Sequence, residues 1–262
     1  MVDLQAHALP GADRGAPDDA AALAMCRYAA ERGTRELVVA PTTDLSQPWD
    51  PAEADSAIER LQAALGETIH LHRGCEVKLN EANLAAVSSD PGRYTINGRQ
   101  YLLLDASDDK VMRSSMADLI DRLREAGAVP VITAPERSPR LRGSPARLQR
   151  WFKHGALFQV CGASLTGLFG ERVQREAIAL VDSNLARFVA SDGVDLADRP
   201  PDLLETWEFL VYRWSEAKAQ ELLIDNPWAA LWGERIEAPH SRVRRRSSWS
   251  SRLFGRRSRS RH

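Results

Sequence analysis

The sequence lacks the marks of a secreted or membrane-spanning chain. Its three cysteines, Cys26, Cys75 and Cys161, are odd in number, far apart and never in a C-x-x-C pair. That argues against a disulfide framework, a zinc knuckle and a redox motif, and reads as reduced cytosolic thiols. No apolar run approaches the ~20 residues that a membrane span needs. No basic stretch followed by an apolar one opens the chain, so no signal peptide is expected. What is present suits a sizeable core: 44 % of the 262 residues are hydrophobic and 27 % charged. That composition excludes global disorder, and the length is ordinary for a single α/β barrel.

Acid is missing altogether from residues 241–262, "SRVRRRSSWSSRLFGRRSRSRH", which hold nine arginines. The net charge of −1 therefore hides an acidic body of about −10 joined to a basic tail. The expected boundary places a barrel at residues 1–236 and a disordered Arg/Ser-rich tail at 237–262. Within the tail, Trp249, Leu253 and Phe254 would share one side of a helix. Such a segment suits an anionic membrane surface, where each basic residue contributes about 1 kcal/mol. Nucleic acid would attract the same charges but is not the expected partner, and a solvated tail is the plainer alternative.

Along the body, strand-length apolar runs fall at residues 2–4, 36–40, 68–72, 100–105, 128–133, 157–160 and 187–190. Helical patterns fall between them at 18–32, 51–65, 114–126, 144–154 and 171–183, and a longer one at 201–223 closes the body. Strands alternating with helices imply a parallel sheet, and seven units suggest a barrel. The run 94–101, with Asn97-Gly98 at its centre, reads as a hairpin.

In parallel barrels chemistry collects at the carboxyl ends of strands. Here those ends carry His7, Thr42-Thr43, Glu76, Asp105, Glu136 with Arg137, and Asp192. Carboxylates converging with an imidazole can hold a divalent ion; equally, acids at strand ends can cap the following helices. The H-x-H of His70 and His72 lies before its strand's carboxyl end and reads as structural. His154 suits a helix C-terminus. Ser164 lacks a G-x-S-x-G context. Trp207, Trp214, Trp228 and Trp232 read as packing around the last helix.

These segments resemble a known family. "VDLQAHALPGADRG" is similar to the D-I-H-S-H-I-L-P-G-x-D-D-G opening of the CpsB/CapC bacterial tyrosine phosphatases of the PHP superfamily. "LVVAPTT", "RGCEVKL", "YLLLDAS", "PVITAPERS", "GASLTGLFG", "VASDGVDLADRPP" and "NPWAALWG" follow in the family's order, to about Trp232. The resemblance implies a PHP-type distorted (β/α)7 barrel, two or three manganese-like ions, and phosphotyrosine hydrolysis on the kinases of capsule and exopolysaccharide export. It also implies a cytoplasmic address, peripheral to the inner membrane if the tail binds lipid.

Carried over position by position, the metal-ligand types match at His7, Glu76 and Asp192, with Asp105 where glutamate is usual. The rest is replaced: Gln5 for the first histidine, Arg14 for the second aspartate, Thr42 and Thr43 for the histidine pair, and Ala134 and Val194 for two more histidines. Neutral oxygens are weaker ligands than imidazole, and alanine and valine are none. The expectation is at most one ion of the manganese kind, held by His7, Glu76, Asp192 and Asp105 or Gln5, or none. Arg137 and Arg199 match family arginines that hold phosphate. Activity should be weak or absent, with a phosphotyrosine-binding regulator or a single-ion hydrolase as alternatives. Arg14 would either join a phosphate cup or pair with Glu76 or Asp192.

Overall fold

The computed structural model describes residues 1–108, 111 and 116–236; the basic tail, with its expected disorder, lies outside the described residues. Nine parallel strand segments form the wall: β1 Val2–Ala6, β2 Glu36–Val39, β3 Thr42–Thr43, β4 His70–Arg73, β5 Glu76–Lys78, β6 Tyr101–Asp105, β7 Val129–Thr133, β8 Leu157–Cys161 and β9 Ala186–Ala190. Pairing runs β1-β2-β4 and β3-β5-β6-β7-β8-β9. β3 continues the line of β2 past Ala40-Pro41, and β5 that of β4 past Gly74-Cys75, so the segments make seven staves. Only glycine fits at the second break, because a Cβ on Gly74 would lie 2.4 Å from Val38 Cγ1. The two ends of the wall meet where Asp192 N donates to Gln5 O (3.0 Å) and His7 N to Gly193 O (2.8 Å).

Alternation along each stave separates two apolar layers. Leu102, Leu104, Ile132, Phe158 and Val160 face outward under the helices, and Val2, Leu4, Leu103, Val131 and Phe188 fill the interior. Helices start where the sequence supplies caps: Asp18 accepts from Ala21 N ahead of Asp19–Glu31, and Asp50 from Ala52 N ahead of Pro51–Leu65. The last helix, Asn226–Trp232, plugs the amino ends of the strands, with Ala230 and Leu231 buried against Val2, Ile96 and Tyr101.

Three expectations are corrected. Residues 94–101 form no hairpin; short 3-10 turns occupy Pro91–Tyr94 and Ile96–Gly98, and Tyr94 and Ile96 are buried. Tyr101 enters β6 and pairs in parallel with Val129 of β7 instead of with the preceding arm, and Asn97 donates to Leu231 O at 3.3 Å. The stretch 201–223 is not one helix: Leu204–Arg213 ends at Trp214, and Ser215 caps a new helix through Lys218 N. Finally, Trp207 and Trp214 pack on the core, but Trp228 and Trp232 are largely exposed, since their helix turns Leu231 inward instead.

Candidate functional site

The inward faces that are apolar near the floor become polar at the carboxyl ends. Gln5, Glu76, Thr133, Gln159 and Asp192 meet there, all buried. Gln5 Nε2 reaches Glu76 Oε1 (2.8 Å) and Asp192 Oδ1 (3.4 Å), while Gln159 Nε2 donates to Gln5 Oε1 (2.5 Å). Ionised carboxylates only accept, so the Gln5 amide must turn its NH2 toward them. Thr42 and Thr133 hydroxyls each donate to Glu76 at 2.6 Å.

His7 stands beside this group, held from both sides. Its Nδ1 is 2.5 Å from Asp13 Oδ2 and its Nε2 3.0 Å from Asp192 Oδ1. Asp13 is itself fixed by the backbone N–H groups of Gly15 and Thr42. The loop folds back so tightly that a Cβ on Gly15 would lie 1.9 Å from His7 O. Burial works against protonation of His7, but the two carboxylates outweigh it and lift its pKa to about 9. At neutral pH the ring is therefore a cation with no free lone pair. On the far side of Asp192, Oδ2 takes Arg137 Nη1 and Arg199 Nη1, the latter at 2.9 Å. Burial would raise the Asp192 pKa; the His7 hydrogen bond and the charges of Arg199, His7 and Arg137 hold it below the usual range. Glu76 moves the other way, raised by burial and by the Asp192 charge.

A cavity of about 230 Å³ opens over this cluster, lined among others by Arg14, Asp105, Ala134, Arg137, Ser138 and Leu141. Arg14 is exposed at its edge and pairs with neither Glu76 nor Asp192; Arg137 and Arg199 take Asp192 in its place. Arg137 also lies over the Phe169 ring, 4.4 Å from its centre, a contact that orients the guanidinium. Asp105 reaches the rim but turns Oδ1 to its own Ser107 N–H. Glu136 leaves the rim set: it is buried, accepts from Cys161 N at 2.9 Å, and burial raises its pKa to about 7. Ala134 and Asp192 both have left-handed backbones, with φ of 40° and 52°, a strained state for non-glycine residues that tends to collect at functional sites. His70 is exposed and His72 binds Glu36 at 2.6 Å, so they form no metal pair. His154 pairs with Asp121, Ser164 is buried, and the three cysteines are free and buried. Sequence reasoning missed the roles of Asp13, Thr133 and Gln159. Asp13 was within reach, since it follows His7 by six residues in one loop; nothing local marks the other two.

The profile of the family "Capsular polysaccharide synthesis, CpsB/CapC" spans residues 1–232. The chain belongs to the CpsB/CapC family. It is 32 % identical over 206 residues to the tyrosine-protein phosphatase YwqE of Bacillus subtilis, covering 76 % of this chain and 79 % of the relative. It matches a solved structure from work on YwqE of Bacillus subtilis and CpsB of Streptococcus pneumoniae, described there as unique metal-dependent tyrosine phosphatases. That match has a TM-score of 0.79 at 27 % identity and covers 91 % of this chain and 97 % of the other. An organophosphorus hydrolase from Deinococcus radiodurans shares the fold alone, with a TM-score of 0.53 at 15 % identity over 84 % of this chain and 86 % of that one.

The donors of this CpsB/CapC chain fit such metal chemistry poorly. All four carboxylate oxygens of Glu76 and Asp192 already face proton donors, and His7 offers neither nitrogen. Among the described residues, no three His, Cys, Asp or Glu side chains are spaced to hold one ion. The structure brings His7, Glu76 and Asp192 together and leaves Asp105 at the edge.

Proposed function

We propose that this CpsB/CapC protein recognises phosphotyrosine on a bacterial tyrosine kinase of capsule or exopolysaccharide synthesis and hydrolyses it slowly or not at all. The reading implies a cytoplasmic address. One observation carries it: Asp192, a ligand type in the family, is neutralised by His7, Arg137 and Arg199. Protein cations stand where dications would polarise a phosphoryl group and lower the pKa of a bound water. Imidazolium and guanidinium carry the charge but cannot ionise a water for attack.

Recognition needs less. Arg137 keeps 28 % of its side chain exposed and shares the cavity with exposed Arg14. A phosphate dianion suits paired guanidinium donors, and Ala134, Pro139 and Leu141 give the cavity an apolar wall for the phenyl ring.

The test joins three measurements on the purified full chain: bound metal per chain, manganese-dependent hydrolysis of a phosphotyrosyl peptide, and equilibrium binding of that peptide against its unphosphorylated form. The expected result is phosphate-dependent binding that weakens about tenfold or more in Arg137→Ala, with little turnover. Two or more tightly held manganese or iron ions with brisk turnover would overturn the proposal. One ion with slow turnover would favour a single-ion hydrolase, and neither binding nor turnover would remove phosphotyrosine altogether.

A further inference from the structure

Arg137 is held at one edge and on one face. Its Nη1 donates to Asp192, and its guanidinium carbon lies 4.4 Å from the centre of the Phe169 ring. Asp192 has no oxygen left for a second nitrogen of Arg137. Its Oδ1 faces His7 Nε2 (3.0 Å) and Gln5 Nε2 (3.4 Å), and its Oδ2 is shared with Arg199 Nη1 (2.9 Å). Among the described residues, Nε and Nη2 of Arg137 have no acceptor, and 28 % of the side chain stays exposed at the cavity. One hydrogen bond fixes a point and leaves the guanidinium free to swing about it. A ring face packed against the cation restricts that swing.

The ring is itself held in place. Phe169 is half-buried in the short link between the helices Gly162–Thr166 and Glu171–Asp182. Glycines bound that link, Gly167 at φ 96° and Gly170 at φ 84°, backbone states that a side chain would strain. Leu168 N donates to Ala163 O (3.0 Å), Gly170 N to Gly167 O (2.9 Å) and Gln174 Nε2 to Leu165 O (2.8 Å), which ties the link to both helices. Phe169 does not line the cavity, so its effect on a ligand there passes through Arg137.

We propose that Phe169 is a positioning residue for phosphate capture: its ring holds the Arg137 guanidinium so that the nitrogens Asp192 does not use face a phosphate group in the cavity. This rests on the phosphotyrosine reading above. Arg137 must serve a buried carboxylate and an incoming dianion at once. Ordering its fork when the ligand arrives would cost affinity, and a fork ordered beforehand avoids that cost. Leucine at 169 would keep apolar bulk but lose the ring face; tyrosine would keep the face.

Two readouts on the full chain test it, and the first needs no ligand. In the unliganded protein the guanidinium protons of Arg137, assigned by their loss in Arg137→Ala, should resonate upfield through the ring current of Phe169. That displacement should vanish in Phe169→Leu and persist in Phe169→Tyr. Equilibrium binding of a phosphotyrosyl peptide should weaken about fivefold in Phe169→Leu and recover in Phe169→Tyr. Adding Phe169→Leu to Arg137→Ala should cause no further loss. If Phe169→Leu does not fold, Phe169→Met takes its place. A ring that serves packing alone would leave affinity unchanged, or weaken it equally with and without Arg137, and either result overturns the proposal. An Arg137 signal without the upfield displacement overturns it too, whatever the peptide does. No peptide binding by the parent chain, with the displacement intact, overturns the phosphotyrosine reading and with it the use assigned to Phe169, which sets the two failures apart.

Discussion

At the carboxyl ends of the staves the inward positions are Gln5, Glu76, Thr133, Gln159 and Asp192; at the amino ends the same wall presents Val2, Val129 and Leu157, closed below by Leu231. The floor is held by apolar burial and by bonds to backbone carbonyls, such as Asn226 to Arg187 O and Tyr101 to Glu234 O. The mouth is held by charges that need one another. Strain divides in part the same way: Ala134 is left-handed at the mouth without a side chain that favours it, whereas Asp192 and the floor's Asn97 belong to residue types that tolerate that state. The difference shows that this barrel gathers its interlocked charges at the mouth, while the floor buries one ion pair, Arg187 with Glu221, in an otherwise apolar setting.

The sharpest way to break the comparison is to remove one member from each end. Asp192→Ala would leave Arg137 and Arg199 without their shared carboxylate and His7 with Asp13 alone, and should cost about 3–5 kcal/mol in urea unfolding. Leu231→Ala on the floor should cost about 2–5 kcal/mol by leaving a cavity. Salt should then alter the first loss and leave the second unchanged; equal salt responses would erase the distinction between the ends.

Acidity should act on the charged end next. Glu136 rises from 4.5 to about 7 and Asp3 from 3.8 to about 6, both through burial. Across that window the folded chain binds more protons than the unfolded one, so stability should fall as pH rises through it. His7 adds a second window: its stabilisation is full below the ordinary value of 6.5 and is lost as pH climbs through about 9. Asp192 and Asp13, held low, act oppositely and withdraw their support in strong acid. Thermal melts of Glu136→Gln should lose the upper part of the first decline, between about pH 6 and 7, and keep the Asp3 part below it; an unaltered profile would show that another group carries it.

Smaller effects sharpen the same picture. Gln5→Leu removes the amide that bridges Glu76 and Asp192, and should cost about 1–3 kcal/mol, most visibly in melting temperature. Ala134→Gly should gain about 1 kcal/mol by relieving a left-handed alanine. A loss at Ala134 would mean that the backbone there is not strained.

Much of the mouth was legible because its residues end successive staves. Once the periodicity locates strand ends, His7, Glu76, Asp105 and Asp192 fall on one rim without any contact being known. Their pairing was not legible. Arg14, adjacent to Asp13 in sequence, was a candidate partner for Asp192, yet Arg137 and Arg199 take that place from elements 55 and 7 residues away. Glu136 reads as a rim acid beside Arg137, but the turn Pro135–Arg137 points it at Cys161 N. The 94–101 run has a sound turn at Asn97-Gly98, but its two arms part: Tyr94 and Ile96 are buried in 3-10 turns and Tyr101 joins β7.

Local chemistry alone thus set the order of strands and helices, the helix caps, and the acidic body with its basic tail. Those properties follow from side-chain periodicity, short-range hydrogen bonding and counting. Folding in three dimensions decided that His7 is held between two aspartates, that Gln5 donates to both Glu76 and Asp192, and that two tryptophans face outward beneath the barrel. Each depends on the burial and distance of groups far apart in the chain, which no local pattern encodes.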